Sequence, residues 1–212
     1  MSRTPAGVEV RGRYVRLLET ISANTVLWEC LHRLPALGLS DWYLGAGCIA
    51  QTVWNAAHGK PLNDDIVDYD LVYFDPDLSN DAEAAVAERA RHLLGDLSVR
   101  VDAKNQARVH VWYRSKFGYD IQPYRSTEDA IATWPTTASA IGVRTGGLEV
   151  RVYAPFGTDD LFGLVVRANR VQIAPEIYAA KVARWSERWP SLVVLPWEQG
   201  IGVEGLRRGR AD

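Results

Sequence analysis

Apolar residues recur at helical spacing in three separate parts of the chain. Near the start they predict an amphipathic helix from about residue 22 to 37, which Gly38 can end. Residues 80–95 are rich in alanine, with acids early and bases late, and predict a second helix. A last helix can open at Pro175 and close before Pro190, because proline fits the first turn of a helix and cannot continue one.

Strand patterns lie between these helices. Residues 41–47 ("DWYLGAG") carry an apolar run into two glycines, and helical periodicity follows in residues 48–59. This order predicts a strand, a glycine turn and a helix. The run from Val67 to Phe74 has the β-branched and aromatic composition of a buried strand, and it stops before Pro76.

The longest alternation of polar and apolar residues runs from 98 to 111. Only Asn105 interrupts it, so the pattern predicts one long strand, or two strands with a bend near Asn105. Further on, a hairpin is predicted around Gly146–Gly147. The polar positions of the alternation form one face and are Arg100, Asp102, Lys104, Gln106, Arg108 and His110.

Helices and strands that follow one another in this way predict an α+β fold, a mixed α/β arrangement in which a mixed sheet is flanked by helices. The chain has 212 residues and no segment that reads as a long linker, so one domain over residues 1–212 is expected. We expect its core at about residues 22–125. Additional strands and the last helix then form a C-terminal extension at about residues 126–205.

Composition and charge narrow the classes of function. The formal net charge of −2 gives no general attraction to polyanions, so nucleic-acid binding would need a local basic patch. The N-terminus lacks the apolar core of a signal peptide, and no run approaches the roughly 18 apolar residues of a membrane span. We therefore expect a soluble, cytoplasmic protein that does not contact a membrane. Cys30 and Cys48 lack metal-ligand spacing and lie among apolar residues, and we interpret them as core thiols.

The strand at 67–74 carries two acids where a buried strand would carry valine. Side chains at i and i+2 leave the same face of a strand roughly 6.6 Å apart, so Asp68 and Asp70 are expected to point together. Like charges placed in this way repel each other and resist burial unless a cation joins them. Asp64 and Asp65, just before the strand, are interpreted as solvated loop acids.

The glycine turn and the acidic strand have complementary ligand-binding properties, one for phosphate and the other for a metal ion. A turn that runs into a helix presents backbone N–H groups where a phosphate can bind, although Gly45 and Gly47 can also serve a tight turn alone. Magnesium in phosphoryl-transfer sites is typically held by one or two carboxylates, and substrate phosphates complete its shell. Together with Asp68 and Asp70, the glycines predict one triphosphate site with Mg²⁺ as cofactor and Mn²⁺ as its alternative.

At these residues the sequence resembles the nucleotidyltransferase superfamily of the polymerase-beta type. The signature of that superfamily is a glycine-containing turn, a helix, and a strand that reads hydrophobic-Asp-x-Asp-hydrophobic, and residues 43–55 ("YLGAGCIAQTVWN") and 67–74 ("VDYDLVYF") match it. Stretches such as "VDAKNQARVHVWY" and "KVARWSERWPSL" are similar to a family of small bacterial nucleotidyltransferase-like proteins, mostly of unknown function. The resemblance covers most of the chain and implies the polymerase-beta-like nucleotidyltransferase fold.

The resemblance also implies roles for individual residues. In the superfamily the paired aspartates bind two magnesium ions, and a third carboxylate on a neighbouring strand helps to ligate metal and to activate the attacking hydroxyl. Asp68 and Asp70 match the pair, and Asp102 is our candidate for the third acid, with Asp120 in reserve. Asp68, Asp70 and Asp102 are thus expected to be both catalytic and metal-binding.

Several further residues are expected to bind the nucleotide. Lys104 and Arg108 would reach a phosphate as a point charge and as a fork, respectively. Lys181 either lies over the core or contacts the triphosphate. The turn departs from the Gly-Gly or Gly-Ser pair common in the superfamily, because a cysteine follows the second glycine. The full set of nucleotide-binding candidates is Gly45, Gly47, Cys48, Lys104, Arg108 and Lys181.

Three functions compete on this evidence. The first is an enzyme that transfers a nucleoside monophosphate from a nucleoside triphosphate to an unknown acceptor hydroxyl and releases pyrophosphate. The second is a catalytically inactive nucleotide-binding or regulatory protein of the same fold. The third is an RNA-binding or RNA-modifying accessory protein, which the net charge disfavours. The presence of Asp102 beside Asp68 and Asp70 favours the enzyme, because a pure binder needs no third acid. The acceptor is left open between a small molecule, RNA and a protein.

Overall fold

A computed structural model describes residues 14–147 and 149–202. The helices are α1 (Val15–Ala23), α2 (Thr25–Arg33), α3 (Gly47–Ala57), α4 (Asn80–Leu93), α5 (Val109–Phe117), α6 (Thr127–Ile131), α7 (Asp159–Phe162) and α8 (Pro175–Arg188). The strands are β1 (Trp42–Gly45), β2 (Asp68–Tyr73), β3 (Arg100–Asn105), β4 (Gly142–Gly146), β5 (Glu149–Tyr153), β6 (Val165–Val166) and β7 (Val193–Val194). Within the described ranges, no helix has the length and apolar character needed to cross a bilayer.

The main sheet has five strands in the order β3-β2-β1-β4-β5. β2 and β3 are parallel and are joined through α4, whereas β1 is antiparallel to both β2 and β4, and β4 to β5. β6 and β7 form a separate parallel pair. The sheet is therefore mixed, and helices connect its first four strands, which confirms the predicted α+β fold. The single-domain organisation stays a prediction.

Helix α8 is fixed against α3 by a cluster of three tryptophans. The ring centroid of Trp54 lies 5.1 Å from that of Trp185 and 5.3 Å from that of Trp189, both at edge-to-face angles. The indole N–H of Trp189 donates a hydrogen bond to Asn55 (2.9 Å). Aromatic pairs of this geometry stabilise a core beyond their buried area. The C-terminal helix is thereby held close to the helix that follows the glycine turn.

The helix predicted at 22–37 is shorter than expected. Asn24 interrupts the helical run, because its side chain accepts a hydrogen bond from the Leu27 N–H and caps α2, while α1 occupies the preceding residues. After Arg33 the chain continues as a 3₁₀ turn to Leu37, and Gly38 ends it with φ of 72°. The predicted end of the helix is confirmed, and its predicted start is wrong by about three residues.

The alternation at 98–111 does not form a strand throughout. β3 ends at Asn105, whose side-chain oxygen accepts hydrogen bonds from the backbone N–H groups of Asp75 and Ala107. A 3₁₀ turn follows, and then α5, in which Val109 and Tyr113 are buried one helical turn apart. The prediction of a strand beyond Asn105 is wrong, because a buried amide that bonds to a distant loop turns the chain at that point.

Candidate active site

A cleft with a volume of about 780 Å³ lies beside β2 and β3. Residues of those two strands, of the turn between β1 and α3, and of helices α5 and α8 line it. Its surface combines charged groups with the rings of Trp112, Trp134 and Trp185. Concave sites that join apolar walls to a few polar groups are typical of ligand-binding pockets.

The three predicted acids meet at this cleft. The pleat of β2 directs Asp68 and Asp70 into it, while the intervening Tyr69 is fully buried on the other face. Parallel pairing places Asp102 of β3 directly opposite Asp70, with Arg100 opposite Asp68. Neighbouring strands lie about 4.8 Å apart, so the Asp70 and Asp102 carboxylates are close neighbours.

Asp70 is the electrostatic centre of the site. Burial raises the pKa of Asp70, the nearby carboxylates of Asp102 and Asp68 act in the same direction, and the resulting pKa is about 6. The ammonium group of Lys181 and the backbone N–H of Gly47 act in the opposite direction. The ionised form of Asp70 is thus disfavoured in the protein alone, which is the situation that an added cation would relieve.

The other two acids already have basic partners. Asp68 forms an ion pair with Arg100, and Asp102 with Lys104 at 3.1 Å between Nζ and Oδ1. Consequently, in the residues that the structure describes, no three His, Cys, Asp or Glu side chains close around a point where a metal ion would fit. Both pairs are exposed to solvent, and exposed ion pairs contribute only about 0–1 kcal/mol. Carboxylates such as these three, on adjacent strands, are the type of ligand that Mg²⁺ uses.

The glycine turn is tightly packed. A Cβ on Gly45 would lie 2.4 Å from the carbonyl oxygen of Ile141, so the close approach of β1 to the neighbouring segment requires glycine there. The Ala46 N–H donates to the same carbonyl (3.0 Å). The thiol of the fully buried Cys48 donates to the Gly45 carbonyl (3.1 Å). Of the predicted turn residues, only Gly47 lines the cleft.

Arg108 does not lie at the cleft. It is buried, pairs with Glu83 at 2.8 Å, and donates hydrogen bonds to the Leu78 carbonyl (2.8 Å) and to Asn80. The predicted contact of Arg108 with a phosphate is therefore wrong. Its guanidinium group instead joins the start of α4 to the segment after β3. The reserve acid Asp120 is exposed, pairs with Arg114 (2.9 Å), and does not line the cleft.

Asp64 and Asp65 lie in the loop before β2 with side chains that are 44% and 57% exposed, as expected for solvated loop acids, and both are also ion-paired. Both bind Arg188 of α8, at 2.9 Å from Asp64 and 2.5 Å from Asp65. Lys60 adds a hydrogen bond from its ammonium group to the Arg188 carbonyl (2.9 Å). The loop before β2 is therefore tied to the last turn of α8.

Of the basic residues that line the cleft from α5 and α8, only Lys181 was predicted from the sequence. Lys181 was a candidate and does line the cleft, with its ammonium nitrogen 5.6 Å from the centroid of the Trp185 ring. Arg184 and Arg188 line it too, and their spacing of three and seven residues from Lys181 on one helix was the available signal. Lys116 also lines the cleft. It had no such signal, because its segment was not predicted to be helical.

A mixed sheet that presents carboxylates from two adjacent strands, beside a strand–turn–helix unit, defines the nucleotidyltransferase class of fold. Residues 32–194 match a family described as Nucleotidyltransferase, and the chain belongs to this family. It is also similar to a solved NMR structure described as revealing a CCA-adding enzyme head domain, with 25% identity and a TM-score of 0.68. That similarity covers 84% of this chain and 94% of the other. No curated protein matches the sequence. The resemblance found in the sequence is confirmed.

Proposed function

We propose that the protein is a metal-dependent nucleotidyltransferase that moves a nucleoside monophosphate from a nucleoside triphosphate to an acceptor hydroxyl. The observation that carries the proposal is the register of β2 and β3, which sets Asp102 opposite Asp70 with Asp68 on the same cleft face. Membership of the nucleotidyltransferase family supports it. The similarity to a CCA-adding enzyme head domain supports a nucleotide as the donor substrate.

The roles of the acids follow from their surroundings. Asp68, Asp70 and Asp102 would hold Mg²⁺, which when bound supplies positive charge to the reacting phosphate and lowers the pKa of the acceptor hydroxyl. Asp102 is half exposed, and its carboxylate oxygen accepts the proton of the acceptor. The acceptor oxygen bonds to the α-phosphorus while the bond to the bridging oxygen breaks, and pyrophosphate leaves with that electron pair.

The test is release of pyrophosphate by the full chain. We expect release when the protein is incubated with Mg²⁺, each labelled nucleoside triphosphate and pooled acceptors, which include hydroxyl-bearing small molecules, oligonucleotides and proteins. Asp70→Asn should abolish it, because the half-buried acid that lies between the other two loses its charge. Asp120→Asn is the matched control and should retain it, since Asp120 does not line the cleft and pairs with Arg114. Equal release by wild type and Asp70→Asn would contradict the assignment of the site.

A nucleotide-binding protein without turnover is the second candidate. The observation that favours it is the engagement of Asp68 by Arg100 and of Asp102 by Lys104, which leaves only Asp70 without an ion pair among the three acids. If wild type binds a nucleoside triphosphate but releases no pyrophosphate with any acceptor pool, this second function is the correct one.

A further inference from the structure

The ring of Trp134 lies in the cleft wall, next to the glycine turn. A Cβ on Gly45 would lie 3.0 Å from Cη2 of this ring, so the ring packs directly on the backbone of β1. Gly45 pairs with Asp70 in the sheet, which places the ring one strand away from that acid. Trp134 also packs against the apolar cluster that contains Tyr43 and Val72. The sheet therefore fixes a flat aromatic surface beside the acids.

Polar groups near this ring form a chain of hydrogen bonds whose direction can be assigned. The Thr133 hydroxyl donates to the Ala130 carbonyl (2.8 Å), so its oxygen accepts the hydrogen bond that it shares with Tyr124 (2.8 Å). The Tyr124 hydroxyl has then used its only proton, and it accepts a hydrogen bond from the Gln172 side-chain nitrogen (2.7 Å). The Gln172 side-chain oxygen, 3.0 Å from the same hydroxyl, receives no proton from it.

Gln172 consequently keeps hydrogen-bonding groups for a ligand. Among the residues that the structure describes, Tyr124 is the one hydrogen-bond partner of its side-chain amide, which leaves the second N–H and Oε1 available. The Gln172 side chain lines the cleft, and its backbone carbonyl is held by the Tyr119 hydroxyl (2.8 Å). An adjacent donor and acceptor on a planar amide match the edge of a nucleobase, which glutamine contacts in this bidentate way.

The wall formed by Tyr124, Thr133, Trp134 and Gln172 carries no charged side chain. It differs in this respect from the part of the cleft that contains the acids and their basic partners. An uncharged wall with one aromatic ring and one amide suits a neutral, planar group better than a phosphate. A nucleoside triphosphate has such a group in its base.

The strand order indicates which substrate meets this wall. β1 and β3 lie on opposite sides of β2. Asp102, the proposed proton acceptor for the attacking hydroxyl, is on β3, so the acceptor approaches Asp70 from that side. Trp134 lies on the β1 side, next to Gly45. The β1 side is thus left for the nucleoside of the donor.

We propose that Trp134 and Gln172 bind the nucleobase of the incoming nucleoside triphosphate. This proposal rests on the proposed function and deepens it, because it makes Gln172 the residue that selects among the triphosphates. Stacking on an aromatic ring tolerates every base, since each base has a π face. Hydrogen bonds to the base edge distinguish one base from another. Trp134 therefore contributes affinity, and Gln172 contributes selectivity.

The experiment measures the Kd of the full chain for the α,β-methylene analogues of ATP, GTP, CTP and UTP in Mg²⁺ by isothermal titration calorimetry. The bond between the α- and β-phosphates of these analogues resists cleavage, so no turnover disturbs the titration. Tripolyphosphate is the probe for the phosphates alone. Wild type should bind its preferred analogue about tenfold or more tightly than tripolyphosphate, and about tenfold more tightly than the weakest analogue.

Two variants separate stacking from selection. Trp134→Leu should weaken every analogue about tenfold, and Trp134→Phe should recover much of this loss because it keeps a ring. Gln172→Met should reduce the differences among the analogues. Binding of tripolyphosphate should stay unchanged in all of them. Trp197→Leu is the control for a lost indole and Gln199→Met the control for a lost amide, since neither residue lines the cleft.

Four results would overturn the proposal. The first is wild-type binding of no analogue more tightly than tripolyphosphate. The second is weakening of tripolyphosphate by Trp134→Leu as large as that of the analogues. The third is an unchanged ranking in Gln172→Met, which is decisive even if Trp134→Leu fails to fold. The fourth is unchanged analogue binding in Trp134→Leu with a raised KM for the acceptor, which would assign the ring to the acceptor.

The outcome is separable from that of the proposed function. A protein that ranks the analogues as expected, loses the ranking in Gln172→Met and releases no pyrophosphate would support the nucleobase site and contradict the transferase. Pyrophosphate release with unchanged ranking in Gln172→Met would support the transferase and contradict this site.

Discussion

Ala46 lies between two glycines with φ of 53° and ψ of −119°, a conformation that L-residues with a Cβ rarely adopt. Such backbone strain costs about 1–2 kcal/mol, whereas a glycine adds roughly 0.5–1 kcal/mol of unfolded-state entropy. Relief of strain therefore exceeds the entropy term, and Ala46→Gly should raise the free energy of unfolding by about 0.5–1 kcal/mol. Urea unfolding at equilibrium measures this change.

The control for this prediction is an alanine in ordinary helical conformation. Ala85 is exposed in the middle of α4, so Ala85→Gly should lower the free energy of unfolding by about 1 kcal/mol. If Ala46→Gly destabilises the protein as much as Ala85→Gly does, then the turn between β1 and α3 stores no strain.

Substitution of Asp102 is expected to affect turnover much more than nucleotide binding. It faces Asp70 across the strands and is half exposed, so Asp102→Asn should be tolerated by the fold. We expect nucleotide affinity to stay within about tenfold of wild type, while turnover falls by roughly a hundredfold or more, because a positioned general base is lost. Single-turnover pyrophosphate release and equilibrium nucleotide binding provide the two measurements. Full activity in Asp102→Asn, together with loss in Asp120→Asn, would move the role to Asp120.

At the scale of elements, the segment after β3 gives a direct test of helix against strand. Val111 is 59% exposed in α5, so its side chain contributes little packing. Alanine has a higher helix propensity than valine and a lower strand propensity. Val111→Ala should therefore raise the free energy of unfolding by about 0.5 kcal/mol, which thermal and urea unfolding can measure. Destabilisation by a similar amount would indicate that the segment pairs as a strand.

The elements also explain why cations reach the cleft from α8. The tryptophan contacts with α3 and the ion pairs of Arg188 with Asp64 and Asp65 all fix the C-terminal end of α8. Lys181 and Arg184 lie in the turn just before these attachments. Their charges are thus carried by a fixed helix backbone, so little backbone ordering is needed for them to act at the cleft.

For the whole molecule, the site acids make stability depend on pH in a definite direction. The pKa of Asp70 is about 6 in the folded protein and 3.8 ordinarily, so between about pH 4 and 6 the folded protein binds more protons than the unfolded chain. The free energy of unfolding from this group therefore falls as pH rises through that window. Above pH 6 the ionised group costs on the order of 2–3 kcal/mol in the absence of metal.

Asp70→Asn removes this cost. In EDTA at pH 8 the variant should be more stable than wild type by about that amount, and the difference should disappear near pH 4. Asp96 is a control of opposite sign, because its pairing with Arg33 lowers its pKa, so Asp96→Asn should lose stability at pH 8 and recover it as the pH falls. A difference between Asp70→Asn and wild type that is constant from pH 4 to 8 would contradict the raised pKa.

Much of the site was predictable from sequence because its signals are local. The strand, glycine turn and helix of residues 42–57 follow from periodicity and glycine placement, and the acidic strand follows from its composition. The pleat alone places Asp68 and Asp70 on one face. Gly38, which ends the 3₁₀ turn after α2, and Pro175, which begins α8, are local signals, and both predictions are confirmed.

The tertiary structure decided which charged residues meet. Alternation after Asn105 fits a strand by itself, but long-range hydrogen bonds to Asp75 turn the chain there, which sends Arg108 to Glu83 and brings Lys116 to the cleft. Parallel pairing set Asp102 beside Asp70, and helix packing brought Lys181 across from them. Periodicity states which face of an element is buried. It does not state which other element packs against that face, because that choice depends on the free energy of the whole core.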